Sequence, residues 1–332
     1  MIAAALHRGL VEAAAPPEYR GIARDGVRML VTDRHTGLHA HAHFYDLPEL
    51  LRAGDLLVVN DSATLPAALF ARRESGGDVR LHVSTMIDEH LWMVEPRAPV
   101  AAGETLTLPG AASVTILTPA DPEHPRLWYA SFQLCAPMYA YLARFGEPIT
   151  YAYLERRYPL REYQTFFARS IGSSEMPSAA RPFTREVVER LRARGVEMAS
   201  ITLHCGVASF EAPERPGIER FIVSPETADR VSAARRAGRR VVAVGTTVVR
   251  ALETAATPDG AVAAAGWTDL FIGEDFQLSA VDALLSGFHD ANATHVSMLR
   301  AFMSAELLQD AYAEAAAHGY AYHEFGDVHL IE

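Results

Sequence analysis

Two short, wholly apolar runs limit the fold more than any other feature. Each is closed by small or polar residues: Leu56-Leu57-Val58-Val59 before Asn60-Asp61-Ser62, and Val241-Val242-Ala243-Val244 before Gly245-Thr246-Thr247. A strand with one face in water alternates apolar and polar residues, so a strand without alternation is covered on both faces. Such strands belong to α/β architectures, where helices pack on both sides of a largely parallel sheet. The second half of the chain alternates accordingly. Thr184 caps a helix expected to reach Gly195, residues 196–204 read as a strand ending in His-Cys-Gly, and Ser224-Pro225-Glu226 opens a helix ending near Gly238. In that last segment a capping hydroxyl, a proline at the first helical position and an acid in the first turn all favour a helix start. Residues 240–245 form the next strand, 246–256 the next helix, and 328–331 a final strand behind Phe325-Gly326-Asp327.

Between residues 66 and 133 the texture changes to short β-type runs at 79–85, 90–95, 104–108, 113–117 and 127–132, separated by Gly, Pro and acidic turns. That spacing suits a small sandwich or barrel. Residues 66–133 are therefore expected to be an inserted β-domain, with 1–65 and 134–332 forming the α/β domain. Residues 28–32 read as a further strand, and the aromatic stretch 137–163 as helical.

Composition removes several function classes. With 332 residues, 49% of them hydrophobic and 21% charged, the chain lies far from the composition of disordered proteins. Its apolar runs are much shorter than a membrane span requires, and the opening residues carry no basic leader, so a cytoplasmic protein without a membrane partner is expected. Cys135 and Cys205 are too few for a disulfide framework and form no Cys-x-x-Cys pair, which predicts reduced, buried thiols. Acidic residues outnumber basic ones 41 to 30, giving a net charge of −11, which argues against bulk binding to nucleic acid but leaves room for a local basic groove.

Candidate chemistry gathers at strand ends, where open α/β sheets bind ligands. Gly245 permits a tight turn, and the free N–H groups of the following helix, with the hydroxyls of Thr246 and Thr247, offer a site for an anion or a ribose. The alternative is a simple capped turn, and the full dinucleotide or P-loop spacing is absent. His204 ends one strand and His289 sits in a Gly-containing turn; either could act as a base near neutral pH or be a hydrogen-bonded structural residue. Asp327 is a carboxylate held by a turn. His39, His41 and His43 would share one strand face, but neither they nor His289 and His295 supply a complete ligand set, and no metal is expected. The cluster from Arg235 to Arg240 suits the C-terminus of a helix as well as it suits phosphate.

In order along the chain, Arg24-Asp25 with Arg28-Met-Leu-Val, Thr36-Gly37 to His41, Phe44 to Asp46-Leu47, Gly54-Asp55-Leu-Leu-Val-Val-Asn60-Asp61 and Leu65-Pro66-Ala67 resemble one known family. So do Tyr163-Gln164-Thr165, Thr202-Leu203-His204 with Gly206 and Phe210, Val244-Gly245-Thr246-Thr247 with Arg250 and Leu252-Glu253, Thr268-Asp269, Phe288-His289 with Thr294, and Gly326-Asp327. That family is the S-adenosylmethionine:tRNA ribosyltransferase-isomerases of queuosine biosynthesis. The resemblance implies an α/β catalytic domain with an inserted small antiparallel β-barrel, and S-adenosylmethionine as a co-substrate with no tightly bound cofactor. It also implies a 7-aminomethyl-7-deazaguanine base in tRNA as acceptor. On this reading Asn60, Asp61, Gly245, Thr246, Thr247, Arg250, Glu253 and Asp282 bind substrate, while His204, His289 and Asp327 surround the reacting centre. Arg250 or the helix N-terminus would suit the methionine carboxylate, and Asp61 or Asp282 the ribose hydroxyls or the sulfonium. Arg250 and Glu253 could equally form an intrahelical pair.

The chain also departs from the family pattern. Pro177-Ser-Ala-Ala-Arg181-Pro182-Phe183-Thr184 stands where the family reads Pro-Thr-Ala-Gly-Leu-His-Phe-Thr, and Ala63 and Ala68 stand where it carries Arg. Ala208-Ser209 replaces Gly-Thr before Phe210, the stretch between Ile218-Glu219 and Ser224 is shorter and lacks a His-x-Met-His-x-Glu segment, and a Lys is missing from residues 287–294. Lost cations point to altered phosphate and acceptor contacts. A small-molecule acceptor, or a binding role without turnover, is therefore the alternative to tRNA, and Arg181 or the 235–240 cluster could restore a missing cation.

Overall fold

Both apolar runs become central strands of one sheet in the computed structural model, which describes residues 9–121, 126–207, 217–289 and 294–332. Met1–Arg8, Ala208-Ser209-Phe210 and Asp290 lie outside the described residues. Among those described, nine strands lie side by side in the order Ala264–Thr268, Glu219–Val223, Glu197–Leu203, Leu56–Asn60, Val241–Val244, Ala283–Gly287, Val328–Ile331, Arg28–Thr32 and His39–His43. The strands at 197–203, 56–60, 241–244 and 283–287 run parallel. The 328–331 strand opposes 283–287 and runs parallel to 28–32.

Side chains on a strand alternate between its faces. Leu56 and Val58 enter a core built with Ala228 and Val231, Val248 and Leu252, and Leu308 and Ala311 of the helices Pro225–Arg236, Thr246–Thr254 and Ala305–Ala317. Leu57 and Val59 enter a second core with Val187, Val188 and Leu191 of the helix Arg185–Ala193. Both faces are covered, as the unbroken apolar runs require. Thr184 and Ser224 cap their helices, each accepting from the backbone N–H three residues on.

The strands Ala68–Arg73, Asp78–Met86, Leu91–Pro96, Thr105–Leu108, Ala112–Pro119 and Trp128–Gln133 close into an antiparallel barrel. Its own core includes Leu69, Leu81, Trp92 and Val114, and Tyr141 and Leu142 of the helix Met138–Phe145 join it. Ala68–Arg73 is a strand that the β-type runs did not reveal, because two of its buried positions are alanines and its outer positions are Phe70 and Arg72. The barrel docks beside the end of the 197–203 strand. Ser174 Oγ donates to Ser84 O at 2.7 Å, and Val207 N donates to Ser84 Oγ at 2.8 Å.

Two expectations need correction. The 137–163 stretch is α-helical only over Met138–Phe145, with a 3-10 turn at Leu160–Tyr163. Pro148 and Pro159 interrupt it, and Leu154, Tyr158 and Tyr163 pack on Met176 and Phe325 instead of along one helix face. Cys205 is buried but Cys135 is exposed. The strands Glu219–Val223 and Ala264–Thr268 and the helix Ala305–Ala317 were not anticipated. No helix among the described residues is long and apolar enough to cross a membrane.

Phe183 is fully buried, edge-on to Phe44 at 4.8 Å and Phe167 at 5.0 Å, and it anchors the 177–184 segment over the sheet. Truncating a core phenylalanine loses its transfer energy and leaves a cavity. Phe183→Ala is expected to lower unfolding free energy by about 3–5 kcal/mol in urea titrations; a change under about 1 kcal/mol would show that this ring is not part of the core.

Candidate active site

At the carboxyl ends of the parallel strands the main-chain ladder stops, and side chains take over its hydrogen bonds. Asn60 is sealed from solvent. Its Nδ2 donates to Leu203 O at 2.8 Å and to Thr247 Oγ1 at 3.3 Å, while its Oδ1 accepts from Leu203 N and Ser62 N, both at 3.0 Å. One amide thus ties three candidate segments together: the 60–62 turn, the end of the 197–203 strand and the Gly245-Thr246-Thr247 turn. Thr202 Oγ1 donates to Asp61 Oδ1 at 2.6 Å, and Ser62 Oγ meets His204 Nδ1 at 2.8 Å and Ser173 Oγ at 2.6 Å. The His204 ring lies flat against the 172 backbone, where an added Cβ would come within 2.5 Å of it, so only glycine fits at Gly172. Burial, together with Arg220, depresses the His204 pKa, with Asp61 opposing. A neutral ring whose Nδ1 is held by Ser62 is poised to take a proton.

Gly245 has φ near +90°, the left-handed region that favours glycine, and an added Cβ would approach Ala179 Cβ at 3.3 Å. The 177–184 segment therefore lies directly over this turn. On its far side is a small cleft with Arg181, Ser178, Gly287, Glu324, Phe325 and Asp327 in its walls. Arg181 is 2% exposed; its Nε donates to Glu162 O at 3.0 Å, and one Nη reaches Glu18 at 3.0 Å and Glu162 at 3.3 Å. Burial raises the Glu324 pKa to about 7, against a hydrogen bond from Tyr153 and the charge of Arg181. Tyr153 stacks on His323 at 4.0 Å and on Tyr151 at 6.2 Å, and Tyr151 donates to Glu175 and meets His82 of the barrel edge-on at 6.2 Å. This aromatic ladder joins the barrel to the cleft. Glu324, Tyr153, Glu175 and Ser173 were not singled out from sequence; the closest signal was Tyr151-x-Tyr153 in the aromatic stretch.

Other expected site residues serve the scaffold. Arg250 is buried and pairs with Glu219, and it also donates to Leu270 O at 3.0 Å, Thr268 O at 3.2 Å and Gly217 O at 3.3 Å, so it has no open donor face for a carboxylate. Glu253 does not pair with it; its carboxylate accepts from the backbone N–H groups of Ser279, Ala280 and Val281 at 3.0–3.2 Å. Asp282 lies at the opposite, amino-terminal edge of the sheet, bound by Arg235 at 2.7 Å and Val241 N at 2.8 Å. Asp327 is on the cleft, but its oxygens are taken by Arg28 N, the Arg28 guanidinium and Ala321 N. His289 is held by Ser286 Oγ at 2.8 Å and stacked on His295 at 4.6 Å, and burial pushes its pKa well down. His204 and Asp327 flank strands four spacings apart, about 19 Å, so the structure does not gather the three around one atom.

In the basic cluster, Arg235, Arg239 and Arg240 are spent on Asp282, Glu197, Asp55 and Glu332. On the three-histidine face, His39 bonds Thr32, His43 stacks on Tyr45, and His41 joins Glu314 and His318 at the surface, with ligand-type atoms within 4.8 Å of one another.

Comparison with known proteins follows the same outline. Residues 10–331 match the family model described as queuosine biosynthesis protein. A Moorella thermoacetica protein named S-adenosylmethionine:tRNA ribosyltransferase-isomerase is 38% identical over 320 residues, covering 93% of each chain. A Thermus thermophilus protein of the same name is 37% identical, covering 95% of this chain and 96% of its own. The crystal structure of an S-adenosylmethionine tRNA ribosyltransferase from Thermotoga maritima is similar with a TM-score of 0.53 at 29% identity, covering 93% of each chain.

A carboxyl whose pKa is raised by folding holds its proton more tightly in the folded state, so it costs stability as pH climbs from its unfolded value to its folded one. For Glu324 that window runs from 4.5 to about 7. Relative to the wild type, Glu324→Gln is expected to gain stability steadily across it; denaturant midpoints taken at half-unit pH steps would show parallel curves if Glu324 were not perturbed.

Proposed function

The chain belongs to the queuosine biosynthesis protein family, and from that premise we propose that it transfers and isomerises the ribosyl part of S-adenosylmethionine onto a 7-aminomethyl-7-deazaguanine base in tRNA, releasing adenine and methionine. The similarity carries this reading because it runs nearly end to end in both chains. The positive sulfonium acidifies the hydrogens on the neighbouring 5′ carbon. A base removes one, the electron pair left behind drives loss of adenine and opening of the sugar, and the acceptor amine joins the former ribosyl unit as methionine departs. His204 is the base we assign: Asp327 has its oxygens occupied, and the His289 ring is stacked on His295 with its Nε2 on Ser286, whereas the partly exposed His204 is bonded through Nδ1 to Ser62, with Asp61 nearby. The N–H groups and hydroxyls of Thr246 and Thr247 suit ribose or carboxylate oxygens, and Asn60 fixes Thr247. Positioning of this kind, with charge stabilisation, supplies most of the remaining rate.

For the acceptor, Phe70 on the outside of the barrel is 41% exposed, with the guanidinium groups of Arg80 and Arg157 at 5.6 and 5.4 Å from its ring. An exposed ring flanked by cations is the type of surface on which single-stranded bases stack. Transfer to a small molecule is the second reading. Ala63 and Ala68, where the family carries Arg, bring no cation to the mouth, and Ala68 is wholly buried.

The purified protein is expected to release adenine and methionine from S-adenosylmethionine only when tRNA bearing the aminomethyl-deazaguanine base is present, as read by mass spectrometry. Release without RNA would establish the small-molecule or hydrolytic reading, and no release with any acceptor a binding role. His204→Gln is expected to lower kcat by about 10²–10⁴-fold. In the wild type the acid limb of kcat should fall below pH 6.5, the ordinary imidazole value, because burial depresses His204.

A further inference from the structure

Residues directly opposed on neighbouring strands present their side chains on the same face of a sheet. One such row leads outward from His204. Leu203 pairs with Phe221 and His204 N donates to Arg220 O at 2.9 Å, so His204 stands opposite Arg220, and Arg220 in turn pairs with Trp267. With about 4.8 Å between strands, the indole stands about 10 Å from the imidazole. The next row on that face is Thr202, Ile222 and Ala265, and Thr202 bonds Asp61, which ties the face to the 60–62 turn. Phe221 and Val223 point the other way, into the core. The face itself is wet: Trp267 is 43% exposed, Ile222 39%, and Arg220 is exposed beside them. Among the described residues Arg220 makes no salt bridge, whereas Arg28, Arg181 and Arg250 around the same sheet edge are each paired with a carboxylate. Its charge reaches His204 on one side and Tyr139 of the helix Met138–Phe145 on the other.

We propose that Arg220 and Trp267 hold the RNA strand beside the acceptor base, with the guanidinium on the phosphate that joins the acceptor nucleotide to its neighbour and the indole stacked on the neighbour's base. The inference rests on the proposed transfer to tRNA and on His204 as the base. Chemistry on a nucleobase requires that base to leave its stack, and the neighbour then loses a stacking partner. An exposed indole replaces that partner without reading sequence, which is how proteins commonly grip single strands. The phosphate contact needs a cation that is not already spent inside the protein, and Arg220 is one. In a chain of net charge −11, attraction for RNA has to be local, and here it lies next to the reacting residue. A second copy of the chain is the competing occupant, because Ala264–Thr268 is an edge strand open to pairing. Such a partner would have to bury Arg220 unpaired or bring a carboxylate to it, and it would close over the row that leads to His204.

Titration with tRNA bearing the aminomethyl-deazaguanine base, followed by intrinsic fluorescence, tests this directly. Of the three tryptophans, Trp92 is buried and Trp128 half-buried, so Trp267 is the one that stacking would quench. Trp267→Phe should lose most of the quench while keeping affinity within a few-fold, and Trp267→Ala should raise Kd and KM for the RNA by about 5–150-fold, the range for one base stacked on an aromatic ring. Arg220→Gln should flatten the slope of log K against log salt by about 0.7, the loss of one single-strand phosphate contact, whereas Trp267→Ala should leave that slope as it is. Should Trp267→Ala fail to fold, the quench lost in Trp267→Phe and the slope of Arg220→Gln carry the test. Unchanged affinity and slope in variants that still modify tRNA would overturn the inference and leave the proposed function standing. So would a dimer seen by sedimentation velocity that Trp267→Ala dissolves with RNA affinity intact, which would give the face to a second copy. If the wild type neither binds nor modifies the RNA, the proposed function fails and takes this inference with it.

Discussion

The sheet at the centre of this protein is covered on both faces, and that constraint decides where polar chemistry can sit. Strands such as Leu56–Asn60 have no wet face on which to present a functional group. Polar side chains collect where the ladder ends, and Asn60 is the residue through which they are organised. Its amide substitutes for main-chain bonds to Leu203 and holds Thr247 at the start of the next helix. Remove that amide and the Leu203 N–H loses its partner in a buried setting while its carbonyl keeps only the long bond from Cys205 Sγ, with the 60–62 turn and the Gly245 turn free to separate. The neutral His204, set by Ser62 and packed on Gly172, depends on the same arrangement.

Charge around this edge falls into two classes that look alike in sequence. Arg250 with Glu219, Arg28 with Asp327, and Glu253 with three backbone N–H groups are closed sets in which each charge has its partners inside the protein. Breaking one member would strand the other, so these residues are constrained by folding whether or not substrate ever meets them. Glu219 shows how such a pair still matters to the site: its second oxygen accepts from Gly206 N at 2.8 Å and fixes the backbone that follows His204 against the barrel. Arg181 belongs to the other class: its Nε and one Nη are bonded, while Nη1 is buried without a partner.

The strands and caps were legible because they follow from local pattern. Thr184, Ser224 and the two apolar runs each carry their signal within a few residues. Ala68–Arg73 was hidden because alanine in a strand leaves no periodic signature, and Ala305–Ala317 because an Ala-rich helix contrasts little with its surroundings. The candidate residues divide in the same way. Asn60, Gly245, Thr247 and His204 were visible because a strand end followed by polar or small residues is a local motif. That Asp282 lies at the wrong edge depends on the direction of its strand, and that Arg250 is closed off depends on Glu219, 31 residues away. No window of sequence contains either fact. Tyr153 and Glu324, 171 positions apart in the chain, meet only through the way the 146–170 segment folds back over the C-terminal turn.

The departures from the family pattern also acquire an order once placed in three dimensions. The Gly245-Thr246-Thr247 turn, which faces the proposed co-substrate ribose, keeps the family residues. The changes fall on the wall above it at 177–184, at Ala63 and Ala68, and in the 208–209, 218–224 and 287–294 stretches. If acceptor contacts alone had been lost, the vacated positions would be expected to turn small or neutral, as Ala63 and Ala68 have. Position 181 runs against that trend. A leucine in the pattern is here an arginine that is almost wholly buried, braced by two carboxylates and an aromatic ring, with one nitrogen unspent. Burying a guanidinium is among the costlier things a side chain can do, and drift toward loss of function does not build the bracing that makes it tolerable. The segment over the turn carries a buried, braced charge where the family pattern has a leucine.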